Sequence, residues 1–136
     1  MHNGRLLERV INSELAPVGL HHGQGRMLQV IERCGPITQA DLARRMDVKP
    51  ATVTHMLKPL MGRTLVLRAT DPKTNRALVV SLTPAGRRAS RAVLDAWGRV
   101  EQRLNTAVSD EKKDGFLKGL ETIREIVSDA NAKEEQ

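Results

Sequence analysis

Apolar residues recur every three or four positions along most of this chain, and only two short stretches have the alternating or β-branched character of strands. The first pattern is typical of amphipathic helices and the second of sheet strands. Between the two strand-like stretches, the letters DPKTN predict a turn. The pattern predicts helices over residues 5–15, 23–33 and 39–46 and from Pro50, Thr83 and Ser109 onward, with strands over residues 65–69 and 77–82.

Three of the predicted helices carry start signals. Thr38 followed by Asp41 is similar to a capping box, in which side chains satisfy the free N–H groups of the first turn. Pro50 suits the first helical position because its φ is preset and it has no N–H, and Thr83 suits an N-cap. Pro59 lies inside the helix that Pro50 begins, and its missing N–H is expected to kink the last turn.

The order helix, helix, two strands and helix between Ile37 and Gly86 is that of a winged helix-turn-helix, which sets a helix and a loop at a spacing suited to adjacent DNA grooves. The predicted fold class is therefore mainly α, in the α+β winged-helix sense, with a two-stranded wing flanked by N- and C-terminal dimerisation helices. With 136 residues, the chain is expected to form a single domain. Within it we place the DNA-binding unit at residues 19–90 and the helical dimerisation region at 1–18 and 91–130.

The terminal helices carry apolar stripes that are too long for such a small winged unit to cover. Short helices are marginal in water on their own, so these stripes require a partner surface, and a second copy of the chain supplies one most simply. We therefore predict a homodimer. Its predicted interface residues are Leu6, Leu7, Val10, Ile11, Phe116, Leu120, Ile123 and Val127.

Positive charge is concentrated in the winged unit. The chain has a formal net charge of +6, yet residues 36–91 alone hold 11 Lys and Arg against three acids, a net of +8. The remainder is therefore slightly acidic, at −2. Segregation of this kind favours a polyanionic partner such as duplex DNA, and the alternative is a basic face that is merely solvated.

Other functional classes find little support in the residues. No Ser-His-Asp or Cys-His pairing, glycine-rich phosphate loop or carboxylate pair stands out, so we do not expect an enzyme. The sequence has no apolar run approaching about 20 residues and no signal-peptide core. The single cysteine excludes an internal disulfide. Together these features predict a cytoplasmic protein with no membrane association, no cofactor and no bound metal.

The segments GLHHGQGRML, GPITQADLARRMDVKPATVTHMLKPL and LVLRATDPKTNRALVVSLTPAG, in this order and followed by a long helix, resemble the MarR-type (multiple antibiotic resistance regulator) winged-helix transcription regulators. The resemblance implies a sequence-specific DNA-binding regulator, most often a repressor, that binds a palindromic operator as a homodimer. It also implies release by an effector, whose identity the sequence does not define. It places the recognition-helix start, Pro50 to His55, in the major groove and the wing residue Arg76 in the minor groove, with Asp71 bracing Arg76 across the hairpin.

The chemistry of the residues agrees with these roles. Thr52 and Thr54 can donate or accept hydrogen bonds at base edges, whereas lysines bind phosphates without reading sequence. Thr38 and Gln39, at the start of a helix, are expected to contact the DNA backbone. The predicted DNA-binding residues are Thr38, Gln39, Lys49, Pro50, Ala51, Thr52, Thr54, His55, Lys58, Lys73 and Arg76.

Three sequence features, and the function itself, leave alternatives open. Cys34 is either a redox sensor or a small core hydrophobe, and the adjacent His21 and His22 are either metal ligands or linker residues. Trp97 either lines an effector pocket or packs in the dimer or hinge. The alternative function is a winged-helix protein-interaction module without specific DNA binding, which predicts a neutral recognition surface.

Overall fold

The computed structural model of the chain describes residues 2–107, 110, 112–115, 118–119 and 122. The chain divides into two compact units, residues 1–100 and residues 101–136. The elements in chain order are α1 (His2–Leu15), a 3-10 turn (Ala16–Val18), α2 (His22–Cys34), β1 (Ile37–Thr38), α3 (Gln39–Met46), α4 (Pro50–Gly62), β2 (Val66–Thr70), β3 (Leu78–Leu82) and α5 (Pro84–Ala107).

The helix starts follow the predicted signals. The Thr38 hydroxyl accepts a hydrogen bond from the Asp41 N–H over 3.1 Å and donates to the Asp41 carboxylate over 2.9 Å, which confirms the cap of α3. Thr83 caps α5, because its hydroxyl accepts from the Gly86 N–H over 2.9 Å. Helix α4 continues past Pro59 to Gly62, and the kink expected at Pro59 stays a prediction.

The sheet has three strands rather than the two predicted for the wing. The strand order is β1-β3-β2 and both pairings are antiparallel. Ile37 of β1 pairs with Val80, which joins the segment before α3 to the wing. The winged-helix class is confirmed, and the extra strand arises because the two residues before α3 are extended and lie beside the free edge of β3.

The core of the first unit is built from aliphatic residues of every element from α1 to α5, as expected for a chain with one Trp, one Phe and no Tyr. Fully buried side chains include Leu15, Leu28, Leu57, Val80 and Val93. Burying such side chains stabilises the fold by about 1.5–3 kcal/mol each. The orientation of α4 and the wing therefore depends on helices at both ends of this unit.

A buried polar contact joins α2 to α5. The Gln29 side-chain amide donates to the Ser90 carbonyl over 2.7 Å and to the Ser90 hydroxyl over 2.6 Å. That hydroxyl donates in turn to the Glu32 carboxylate. Buried polar groups are costly when unpaired, so these bonds specify one alignment of α2 against α5.

The described part of the second unit consists of the last turns of α5 and isolated residues beyond it. The helix predicted from Ser109 is described in part, and its described residues, 110, 112–115, 118–119 and 122, are helical. Four predicted interface residues lie outside the described residues: Phe116, Leu120, Ile123 and Val127. The single-domain assignment and its internal boundaries therefore stay predictions.

Candidate nucleic-acid interface

Helix α4 has one buried and one exposed side. Val53, Leu57 and Leu60 are fully buried against the core. The opposite side consists of polar and small residues, in the division that the apolar spacing predicts. The exposed residues of this side are Ala51, Thr52, Thr54, His55 and Lys58.

The start of α4 carries positive charge. Lys49 is the N-cap residue, its side chain makes no cap hydrogen bond, and Pro50 occupies the first helical position. The free N–H groups of a helix start attract anions, and an exposed ammonium beside them adds to this attraction. The arrangement is suited to a DNA phosphate.

The start of α3 lies beside α4. The Gln39 side-chain amide donates to the Thr54 hydroxyl over 3.3 Å, and the Arg68 guanidinium donates to the Gln39 side-chain oxygen over 3.5 Å. Thr38 and Gln39 are both half-buried. The structure thus brings the predicted residues of α3 and α4 together, and it adds Arg68 of β2 to them.

Asp71 organises the wing tip through contacts within its own turn. Its carboxylate accepts from the Lys73 N–H over 2.9 Å and from the Thr74 hydroxyl over 3.5 Å, and its carbonyl accepts from the Asn75 N–H over 2.8 Å. No ion pair between Asp71 and Arg76 occurs in the described part of the chain. Asp71 thus folds its own turn, because short aspartate side chains bind nearby backbone N–H groups readily, and the brace of Arg76 stays a prediction.

Four cations around α4 and the wing are uncommitted. Within residues 2–107, the side chains of Lys49, Lys58, Lys73 and Arg76 are exposed and form no hydrogen bond or ion pair. Arg44, by contrast, is held by Asp41. Uncommitted surface cations bind a phosphate backbone without first breaking an internal contact.

Arg68 is a candidate interface residue that sequence reasoning missed. It is exposed in β2, and its contact with Gln39 links residues 29 positions apart. Its charge is a sequence signal for exposure, but that signal does not indicate which helix the strand faces.

The histidines of the α1–α2 junction are engaged in local contacts. His21 caps α2, with its Nδ1 accepting from the Gln24 N–H over 3.4 Å, and the His22 N–H donates to the Asn12 side-chain oxygen over 2.7 Å. The His22 and Trp97 rings lie 6.2 Å apart. Among the described residues, no group of three or more His, Cys, Asp and Glu side chains is placed to hold a metal ion.

Cys34 is the last residue of α2 and packs, half-buried, against the core. It also lines an open cavity of about 730 Å³ between α3 and the wing. Its role as a redox sensor or as core filler stays open.

Within the described ranges, no helix is both long and apolar enough to cross a membrane.

A three-stranded sheet, a helix pair with an exposed second helix and a basic wing tip define the winged helix-turn-helix class. Comparison with known proteins shows what this chain resembles. The MarR family model matches residues 20–78. The HTH-type transcriptional regulator YwoH of Bacillus subtilis is 28% identical over 114 residues, which cover 84% of this chain and 82% of that protein.

A regulatory protein assigned to the hcr operon of Thauera aromatica is 31% identical over 102 residues, or 75% of this chain and 61% of that protein. Among solved structures, the transcriptional repressor CouR bound to a 23-mer DNA duplex superposes with a TM-score of 0.83 at 24% identity, covering 90% of this chain and 87% of that one. The chain is therefore similar to the MarR family over residues 20–78, and to transcriptional regulators over most of its length.

Proposed function

We propose that this protein is a transcriptional repressor that binds a palindromic operator in double-stranded DNA as a homodimer. The observation that carries the proposal is the exposed side of α4, which presents polar residues together with the uncommitted Lys49 and Lys58, while the wing tip presents the uncommitted Lys73 and Arg76. Polar residues of this kind offer base-edge contacts, and the cations offer phosphate contacts.

The two parts of the surface suit different grooves. An α-helix fits the major groove, where Thr52, Thr54 and His55 of α4 would meet base edges. Arg76 at the tip of the β2–β3 loop is exposed and suited to the negative potential of a narrow minor groove. Lys49, Lys58 and Lys73 would bind phosphates and give the affinity its salt dependence.

The exposed apolar side chains of α1 support the homodimer. Leu6 and Leu7 are 43% and 41% exposed, and Val10 and Ile11 are half-buried. Adjacent exposed leucines on one helix are typical of a surface that a partner covers. A two-fold homodimer would hold two copies of α4 at a fixed spacing, which is why we expect a palindromic site.

The comparisons support the DNA partner, since the similar CouR structure is that of a repressor bound to a DNA duplex. The proposal assigns the protein no catalytic activity and a cytoplasmic location. Release of the DNA by a small-molecule effector stays a prediction from the family resemblance.

Selection of bound fragments from a random duplex library tests the proposal. The expected result is a palindrome whose half-sites lie about one helical turn apart. A matched pair of variants serves as control: Arg76→Ala should weaken enrichment, whereas Arg33→Ala, an equal charge change at an exposed position of α2, should not. Absence of enrichment with the unaltered protein would favour the protein-interaction module instead.

A further inference from the structure

Gln39 joins three elements of the candidate interface. From the first position of α3, its amide nitrogen donates to the Thr54 hydroxyl of α4 over 3.3 Å, and its amide oxygen accepts from Arg68 of β2 over 3.5 Å. An amide side chain carries a donor end and an acceptor end. Since a guanidinium only donates, Arg68 takes the oxygen end and thereby directs the nitrogen end toward Thr54.

The Thr54 hydroxyl is engaged on its donor side as well. It donates to the Pro50 carbonyl over 3.2 Å, within the first turn of α4. A hydroxyl has one proton to donate and two lone pairs to accept with. With the proton directed to Pro50 and one lone pair occupied by Gln39, a single lone pair is left for a ligand. Thr54 is exposed, so this lone pair is accessible at the surface.

We propose, on the basis of the proposed DNA-binding function, that Gln39 is a positioning residue that makes Thr54 a hydrogen-bond acceptor toward DNA. In the major groove, the exocyclic amines of adenine and cytosine are donors, whereas the groups of guanine and thymine that face this groove are acceptors or a methyl. Thr54 therefore selects adenine or cytosine at the base that it contacts.

Arg68 is also suited to bind DNA directly. Its guanidinium carries five N–H donors, and its contact with Gln39 uses one side of it. The other donors are exposed beside α4 and suited to a backbone phosphate. The side chain of Gln39 then connects phosphate binding by Arg68 with base reading by Thr54.

A double-mutant cycle on DNA binding tests the inference. Gln39→Met keeps the side-chain length and removes both hydrogen bonds, and Thr54→Val keeps the shape and removes the hydroxyl. We expect each single variant to lose about tenfold in affinity for the selected duplex, with affinity for random duplex changed by less than about twofold. Adding Gln39→Met to Thr54→Val should cost no further discrimination, because the bond between the two residues is already absent.

The base preference gives a readout that a merely structural role would not change. In the unaltered protein, one position in each half-site should prefer adenine or cytosine, and this preference should flatten in Gln39→Met and in Thr54→Val. Thr106→Val on α5 provides the control, because the exposed Thr106 hydroxyl also donates to the carbonyl four residues earlier, and this variant should leave the preference unchanged. The midpoint of thermal unfolding of Gln39→Met should match that of the unaltered protein, because the contacts it removes are at the surface.

Additive losses in the cycle, or a preference for guanine or thymine at the position that Thr54→Val flattens, would overturn the inference while the proposed function stands. Equal binding of selected and random duplex by the unaltered protein would overturn both.

Discussion

The guanidinium of Arg63 lies against Gly19, with its Nη1 donating to the Gly19 carbonyl over 2.7 Å. Its Nη2 donates to the neighbouring Val18 carbonyl over 2.9 Å. Arg63 directly follows α4, and Gly19 lies in the link between α1 and α2. These two hydrogen bonds therefore hold the C-terminal end of α4 against the segment between α1 and α2.

Arg63→Met should lower the free energy of unfolding by about 1 kcal/mol, because two hydrogen bonds from a charged donor are lost at an exposed position where water partly replaces them. Chemical denaturation measures the change. Arg45→Met is the control, since the exposed Arg45 guanidinium forms no hydrogen bond in the described part of the chain. Equal stability of the two variants would show that the Arg63 contact contributes nothing.

Gly86 in the first turn of α5 is packed too closely for any side chain. A Cβ at this position would lie 2.0 Å from the Leu65 carbonyl oxygen, which is backbone and has little freedom to move. Gly86→Ala should therefore destabilise the protein by at least about 2 kcal/mol through overpacking, measured as the free energy of unfolding in urea.

Gly98 of the same helix provides the opposite case. A Cβ added there meets no described atom within 4 Å. Gly98→Ala should raise stability by about 0.5–1 kcal/mol, because alanine restricts the unfolded chain and favours the helix. If Gly86→Ala and Gly98→Ala changed the free energy of unfolding equally, the close approach of α5 to Leu65 would be contradicted.

Local signals predicted the helix-turn-helix closely. The bounds of α3 agree with the prediction because Thr38 and Asp41 satisfy its first turn through contacts three residues apart. The start of α4 agrees because Pro50 fixes its own φ. Information of this kind is contained in a few neighbouring residues and is readable without knowledge of the rest of the fold.

Contacts between distant segments were not predictable in the same way. The pairing of Ile37 with Val80 forms β1, and the bridge from Gln39 to Thr54 and Arg68 crosses three elements. Apolar periodicity reports which side of an element is buried, but it does not specify the partner element. At the wing tip, the bond from the Lys73 N–H to the Asp71 carboxylate was likewise not part of the prediction.

Arg76→Ala should weaken operator binding at least about tenfold, because a cation at the wing tip is suited to the negative potential of the minor groove. Fluorescence anisotropy with a labelled duplex at physiological salt measures the loss. Stability should not change, since the exposed Arg76 guanidinium forms no hydrogen bond or ion pair within residues 2–107. Unchanged affinity would remove the wing from the interface.

Leu7→Glu should shift the protein from dimer to monomer, because it places a charge in the apolar surface of α1 that we expect the partner subunit to cover. Analytical ultracentrifugation over a range of concentrations would show a dissociation constant raised at least about tenfold. Leu67→Glu is the matched control, because Leu67 is 55% exposed on the wing, away from α1. A monomeric unaltered protein, or equal effects of both variants, would contradict the assignment of α1.

We expect the exposed side of α4 and the wing to read a DNA sequence. The most direct measurement compares the affinity of the unaltered protein for its selected palindrome with that for a scrambled duplex of equal length and composition, at several salt concentrations. We expect a preference on the order of 10³ or more for the palindrome, and an affinity that falls by about 0.9 logarithmic units per contacted phosphate for each tenfold rise in salt. Equal affinity for both duplexes, or an affinity independent of salt, would contradict this expectation.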